Sequence, residues 1–458
     1  MRRAQKYRAY PNRETEEKLR EWLRLCCDLW NAAVFQRRDC YERCGWGKGI
    51  MRKRISPQRQ NKLSPDREAK RQERGIYTTS GLCKAEQDAQ LTLLKKECPE
   101  FNISGGSQVL KNVLDRLDKA YQAFFKRPGP TGPPSFHKYR NYRSFTFPNA
   151  SGWRVDGNAI ITPCGRLKLR PLLTLRPTQG EIKTVTVEES KTGKWFVVFS
   201  CDGIEPDIKP PCNTSIGIDV GTMMFAMDSD GKRTPRGEFL ESHLRQIRIL
   251  QRRAARQRTA AKREGRQGSK RLDRTYDEIR SVFEKITNRR LDFICKLAKY
   301  YTDNYDEINI ENLDIIGLIQ ASKGWPKMSQ EWREKRKEEG KKLKRRPAIA
   351  RLRMLDAGWG IFFTRLEQKC EFTGRTLNKK PTPYTTMTCS QCGSVQGVPE
   401  IARMYDCKTC GKRIHRKLNA ARNIAGITTG WENGDMGGIA ALINQIRYDL
   451  YKEMQHEC

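Results

Sequence analysis

Four cysteines carry the clearest chemistry in the chain. Cys389 and Cys392 are separated by two residues, Cys407 and Cys410 likewise, and 14 residues lie between the pairs. A glycine follows each pair, Gly393 and Gly411. A Cys-x-x-Cys-Gly knuckle brings two sulfurs onto one tight turn. Glycine takes the strained backbone conformation there and leaves amides free to bond sulfur. Two such knuckles make a tetrahedral four-sulfur site of the softness that Zn²⁺ accepts. No position is left over for water, so the zinc expected here is structural. The rival reading is a redox dithiol pair.

Two carboxylates form the second candidate site. Asp219 sits in "IGIDVG", an acid in an apolar strand just before Gly221, and Glu311 sits in "INIEN", an acid at the end of another apolar strand. A buried carboxylate needs a partner or a metal. One strand-end acid is ordinarily capped or salt-bridged. Two from adjacent strands of a central sheet are the way two-metal phosphodiester chemistry is built.

These residues need elements to position them. "TSIGIDVGTMMFAMDSDG" reads as strand, glycine turn and strand, and "DEINIENLDI" as a further buried strand. Residues 238–303 read as long basic helical material, polar nearly all round and suited to phosphate contact. Earlier in the chain, Asn12 is the expected N-cap of a helix carrying Leu19, Trp22, Leu23, Cys26, Leu29, Trp30 and Ala33 as its core stripe. A second helix over 107–127 carries Leu110, Leu114, Leu117, Tyr121 and Phe124, and "PGPTGPPSF" ends it. Alternating apolar and polar residues then predict a small antiparallel β unit. Residues 51–75 read as a basic arm and 322–347 as a basic, Trp-punctuated loop or helical pair.

Lys and Arg total 89 against 53 Asp and Glu, a formal net charge of +36. A charge of this size is an argument about partners, and a nucleic-acid backbone is the natural one. A membrane surface is disfavoured: there is no run of 18 or more apolar residues and no signal peptide, so a cytoplasmic location is expected. The 16 cysteines include twelve outside the knuckles, which lack regular spacing and read as buried thiols in a reducing compartment.

The order "IGIDVG", "INIENL", paired knuckles and "NAARNI" resembles the TnpB family. These are transposon-associated, RNA-guided proteins with a split RuvC-like (RNase H-fold) nuclease, related to the type V CRISPR effectors. "YRAYPN", "LDKAYQAFFKR", "GPPSFHKYRNYRSFTF", "GKWFVVF" and "TTMTCSQCG" extend the likeness along the chain. The resemblance implies an α+β multidomain protein. A wedge-like β-barrel would take 1–10 and 140–213, and a helical recognition domain 11–139. The RuvC-like α/β domain would take 214–385 for its first two motifs, an inserted zinc ribbon 386–412, and the third motif with the C-terminal tail 413–458.

The resemblance also assigns roles. Asp219 and Glu311 correspond to the first two catalytic acids. The third stands two residues before the Asn of "NAA"; Asn419 sets that register, and the position holds Lys417. Acid to lysine changes the local charge by two units, each worth about 4 kcal/mol at roughly 4 Å and an effective dielectric near 20. The ammonium is expected to compete with Mg²⁺ and to pair with Asp219 or Glu311. Asp406, Glu432, Asp435 and His415 are the candidates for a substitute ligand. The expected function is RNA-guided binding of double-stranded DNA in a prokaryotic nucleoid, with guide RNA pairing plus a short flanking motif, and with cleavage lost or weak. The runner-up is an active RNA-guided, Mg²⁺-dependent endonuclease. A DNA-only transposase or repressor is the third class, and the sequence carries no helix-turn-helix signature for it.

Overall fold

The computed structural model describes residues 1–44, 84–126, 132–171, 173–174, 177–266, 268–321, 348–380, 385–398 and 403–426. The basic stretches at 51–75 and 322–347, and the acids Glu432 and Asp435, lie outside the described residues. The chain divides into two compact units, Met1–Glu205 and Pro206–Cys458.

In the first unit, β1 (Arg3–Tyr10) leads into α1 (Arg13–Cys44). Asn12 caps that helix: its side chain accepts from the Thr15 amide at 2.8 Å. Helices α2 (Lys84–Glu97) and α3 (Ser107–Lys126) follow. Then come β2 (Ser144–Phe147), β3 (Arg154–Asp156), β4 (Ala159–Thr162), β5 (Gly165–Arg170), β6 (Glu181–Glu189) and β7 (Trp195–Asp202). The seven strands make one sheet in the order β2-β6-β7-β1-β5-β4-β3, every neighbouring pair antiparallel. Where a small β-barrel was expected the sheet is a half-barrel, with β2 and β3 as its edges among the described residues. Strict alternation in β7 buries Trp195, Val197, Phe199 and Cys201. Trp22 of α1 meets Phe145 and Phe147 of β2 at 5.5 and 5.9 Å between ring centres. The helical stripes read from the sequence are buried, except that Phe124 near the end of α3 is only half-buried.

The second unit is built on β8 (Ser215–Val220), β9 (Ala226–Asp228), β10 (Arg233–Thr234), β11 (Glu307–Glu311) and β12 (Thr376–Lys380). Their order is β10-β9-β8-β11-β12. β11 lies between β8 and β12 and parallel to both, whereas β9 and β10 turn back antiparallel. Helices α4 (Leu244–Arg263) and α5 (Lys270–Asn304) separate β10 from β11. Helices α6 (Ile315–Ala321), α7 (Ala348–Ala357) and α8 (Trp359–Thr373) precede β12. A hairpin of β13 (Met404–Asp406) and β14 (Arg413–His415) runs directly into α9 (Arg416–Ala425).

Helix α4 is less uniformly polar than its sequence suggests. Ile247, Leu250 and Ala254 form a buried stripe, and the first two pack with Val282 and Ile286 of α5. Arg245, Arg248, Arg252 and Arg256 are left on the outside. The thiols also differ in part from expectation. Cys26, Cys27, Cys164, Cys201 and Cys370 are buried, but Cys212 is exposed and Cys40, Cys98 and Cys295 are half-buried.

The central strand β8 is buried along nearly its whole length, as a strand covered on both faces must be. Ile216 and Ile218 join Ile294, Ala298, Tyr301, Phe362 and Leu366 in the main core. The alternate positions, Gly217 and Asp219, therefore face the other way, toward α9. Gly217 permits the contact: a methyl group there would lie 2.0 Å from the Ala421 carbonyl oxygen and 2.4 Å from the Ala425 nitrogen. Those are backbone atoms that cannot step aside. Gly217→Ala is expected to cost about 3 kcal/mol, as overpacking of a fixed interface does. Gly268→Ala, at a position with nothing within 4 Å, should be neutral. Chemical denaturation of both variants alongside the parent chain measures the difference.

Candidate functional site

Lys417, Ala421 and Ala425 fall at i, i+4 and i+8 on α9, so one face of the helix carries all three. The two alanines rest over Gly217. Lys417 then lies over Asp219, and its Nζ donates to Asp219 Oδ2 at 2.7 Å and to the Val220 carbonyl at 3.2 Å. Asp219 is therefore the partner taken, of the two acids that sequence reasoning left open. The end of the lysine side chain crosses Gly221, where a methyl group would come within 2.4 Å of Nζ. Asp219 is only 7% exposed and Lys417 25%, so the pair is largely withdrawn from water. Burial drives the Asp219 carboxyl above the usual carboxylate range, and the Lys417 ammonium pulls against that shift.

Glu311 reaches the same place from the neighbouring strand. The register pairs Ile310 with Ile218, so Glu311 and Asp219 stand one step further along on adjacent parallel strands. Glu311 is pushed up to about 7, first by burial and then by the negative charge of Asp219. Thr385 donates its hydroxyl to Glu311 Oε1 at 2.6 Å and opposes the shift. His415 caps α9 with Nδ1, which accepts from the Lys417 amide at 3.3 Å. Burial, with Arg233 and Lys417 nearby, holds its imidazole below the ordinary range, in the neutral form that can accept. Asp406 is engaged elsewhere, in an ion pair with Arg413 across the β13–β14 hairpin at 3.2 Å.

The four cysteines converge. Their sulfurs all lie within 4.8 Å of one another, with Cys389 to Cys410 at 3.7 Å and Cys392 to Cys407 at 3.6 Å. Tetrahedral sulfurs at roughly 2.3 Å from zinc are about 3.8 Å apart, so the cluster is of a size to hold such an ion. The knuckles repeat one geometry. Gly393 and Gly411 adopt φ of 74° and 69°, and each donates its amide to the carbonyl of its knuckle's first cysteine, at 2.9 and 3.0 Å. Tyr405 and Ile414 pack beneath with Cys389 and Cys407.

Sequence reasoning missed what joins the two sites. Asn419 accepts from the Ser390 amide at 2.8 Å and donates to the Thr388 carbonyl at 2.6 Å. Asn423, one turn on, donates to the Thr385 and Thr388 carbonyls at 2.7 and 2.8 Å. The asparagines of "NAARNI" thus bind the approach to the first knuckle, the segment whose Thr385 holds Glu311. The spacing of two buried-face asparagines four residues apart was the available signal.

The arrangement is a four-sulfur hairpin running into a helix that covers two strand-end acids, and several known proteins are similar to this chain. Family models match residues 359–424 (Cas12f1-like, TNB domain), 186–322 (probable transposase, OrfB of the IS605 type) and 1–45 (helix-turn-helix domain of the same OrfB type). The chain carries TnpB/IS605 transposase family domains, together with a Cas12f1-like TNB domain. A putative RNA-guided DNA endonuclease of Streptomyces pristinaespiralis is 27% identical over 351 residues, 74% of this chain and 76% of that protein. The CRISPR-associated endodeoxyribonuclease Cas12f1 of Sulfoacidibacillus thermotolerans is 22% identical over 245 residues, 52% of this chain and 51% of that one. Among solved structures, a CRISPR-Cas12f ternary complex aligns over 89% of this chain and 81% of its own, at 12% identity and a TM-score of 0.30. The segment matched as helix-turn-helix is, over its described residues, a strand and one uninterrupted helix, β1 and α1.

The raised Glu311 carboxyl gives a pH signature. Unfolded, the group ionises near 4.5; folded, it holds its proton to about 7. Across that window the unfolded chain binds fewer protons, so this group makes stability fall as pH rises, by about 3 kcal/mol in full. Glu311→Gln should remove the loss. In a metal-free buffer containing chelator, the variant is expected to melt above the parent at pH 8, with the gap closing toward pH 5.

Proposed function

We propose that this chain is an RNA-guided DNA-binding protein of the TnpB type whose own cleavage chemistry is lost or weak. The observation that carries the reading is the Lys417 ammonium, 2.7 Å from Asp219 Oδ2, in the position where the resemblance calls for a third acid. A site for two divalent ions needs several carboxylates free to bind them. Here one carboxylate is bonded to a cation and the other favours its proton near neutrality, so the residues present do not fit a pair of Mg²⁺ ions.

Several features support the remaining parts. The five-stranded order, with three antiparallel strands and two added in parallel, suits an RNase H-like (RuvC) domain, and the half-barrel of the first unit suits a wedge-like element beside a helical recognition domain. The Streptomyces relative is described as a putative RNA-guided DNA endonuclease. The net charge of +36 suits guide RNA and duplex DNA as partners. In such a protein, base pairing with the guide supplies sequence specificity and the protein reads a short flanking motif. Among the described residues no helix is long and apolar enough to cross a membrane. We assign zinc to Cys389, Cys392, Cys407 and Cys410, as a structural ion that ties the hairpin together.

Two measurements test this. Metal analysis of the purified chain should find about one zinc per molecule, lost in the Cys392→Ser, Cys407→Ser double variant; background zinc in a folded parent would refute the assignment. Loaded with its co-purifying RNA and given matched duplex in Mg²⁺ or Mn²⁺, the parent should bind and leave the DNA uncut. Lys417→Asp should recover measurable cutting, short of full activity. Efficient metal-dependent cleavage by the parent, abolished in Asp219→Ala, would instead establish the active endonuclease with a substitute ligand.

A further inference from the structure

In the first unit, the segment from Pro134 to Tyr139 lies along α1 and is fastened by its backbone. Arg38 donates to the Pro134 carbonyl at 2.9 Å and Trp30 Nε1 to the Ser135 carbonyl at 3.1 Å. Asn31 exchanges two bonds with His137, at 2.9 and 2.8 Å, and Tyr139 donates its hydroxyl to the Arg20 carbonyl at 3.2 Å. The packing partner from this segment is His137, whose ring lies 5.1 Å from Trp30 and 5.9 Å from Tyr142.

The side chains on the outer edge do something else. Phe136 is 49% exposed and Tyr139 38%, and Lys138 and Arg140 beside them are exposed. Each ring carries a guanidinium: Arg38 lies 5.0 Å from the centre of Phe136, and Arg24 5.1 Å from that of Tyr139. Phe35, 64% exposed, follows Asn31 by one helical turn on the same side of α1. The plain alternative is that the rings help hold the segment down. The bonds of Arg38, Trp30 and Asn31 to the segment's backbone, with His137, already do that; Tyr139 adds one bond through its hydroxyl, and rings this exposed contribute little packing.

The geometry points to a binding site for the unpaired bases of a single-stranded nucleic acid, formed by Phe136, Tyr139 and their stacked arginines on the outer face of α1. An exposed ring with a cation nearby is an acceptor for the π-face of any base, and the flanking Lys138 and Arg140 meet the phosphates. The requirement is for unpaired bases, since a duplex buries those faces in its own stack. Asp28, one turn beyond Arg24, is an acid on the same side; Arg24, Arg38, Lys138 and Arg140 outweigh it. This proposal shares with the proposed function the premise that the chain binds nucleic acid, and adds a site of its own.

The test uses the full chain and three labelled probes of equal length: oligothymidylate, oligouridylate and an abasic deoxyribose-phosphate strand. The parent should bind the base-bearing strands more tightly than the abasic one. Phe136→Leu with Tyr139→Leu keeps apolar bulk without a π-face. It should weaken binding of the base-bearing strands by about tenfold for each ring and leave the abasic strand unchanged. The slope of log affinity against log salt should stay as in the parent, because stacking releases no counterion. Lys138→Ala with Arg140→Ala should lower that slope by about one unit per charge. The preference between thymidylate and uridylate decides whether the bases come from DNA or RNA. An unaltered preference for base-bearing strands in a folded double-leucine variant overturns the site while leaving nucleic-acid binding intact. Failure of the parent to bind any of the three at low salt overturns the site and the proposed function together.

Discussion

The close approach of α9 to β8 sets everything at the acidic centre. A helix can lie this near a strand only where the strand offers no side chain, and Gly217 supplies that gap beneath Ala421 and Ala425. With the helix pressed down there, its first turn is brought over Asp219 and its other polar face over the approach to the first knuckle. Were the helix a side chain's width further out, Lys417 would not reach Asp219, and Asn419 and Asn423 would lose the carbonyls of Thr385 and Thr388. One ten-residue helix thus fixes the ion pair, the four-sulfur hairpin and, through Thr385, the second carboxylate.

The electrostatics run against the local backbone. The N-terminus of a helix favours anions, yet Arg416 and Lys417 open α9 with no acid in its first turn. The lysine is tolerated because a buried aspartate needs a counter-charge more than the helix end resents a cation. The opposite assignment, an acid at 417, would suit the helix end and crowd three carboxylates together, a combination that must take up either a metal ion or protons. The side chain at this position therefore decides whether the centre depends on an external cation.

Much of this was legible in the sequence because it is local. Alternation gave the strands, the Leu and Trp spacing gave α1 and α3, and Cys-x-x-Cys-Gly gave both knuckles down to the left-handed glycines. Asp219 and Glu311 could be placed on neighbouring strands from two short apolar runs. The tethers escaped because Asn419 and Asn423 act across 31 to 38 residues of chain, on backbone carbonyls that carry no sequence mark. Ile247 and Leu250 were hidden among arginines, although two apolar residues three apart suffice to seat α4 on α5. The open edge of the first sheet was equally out of reach, since closure depends on how far β2 and β3 lie apart in space.

A side-chain ammonium differs from a dissolved cation in one further respect: it cannot leave. Its effective concentration at Asp219 is set by the covalent chain from the Lys417 backbone, and no change in the surrounding solution dilutes it. The four-sulfur cluster, a short distance along the same polypeptide, has the opposite character under the zinc assignment proposed above, since such an ion would have to come from the surrounding solution. The two ends of this assembly are thereby placed on different supplies. The counter-charge to Asp219 is internal, while closure of the hairpin would follow the supply of the zinc proposed above.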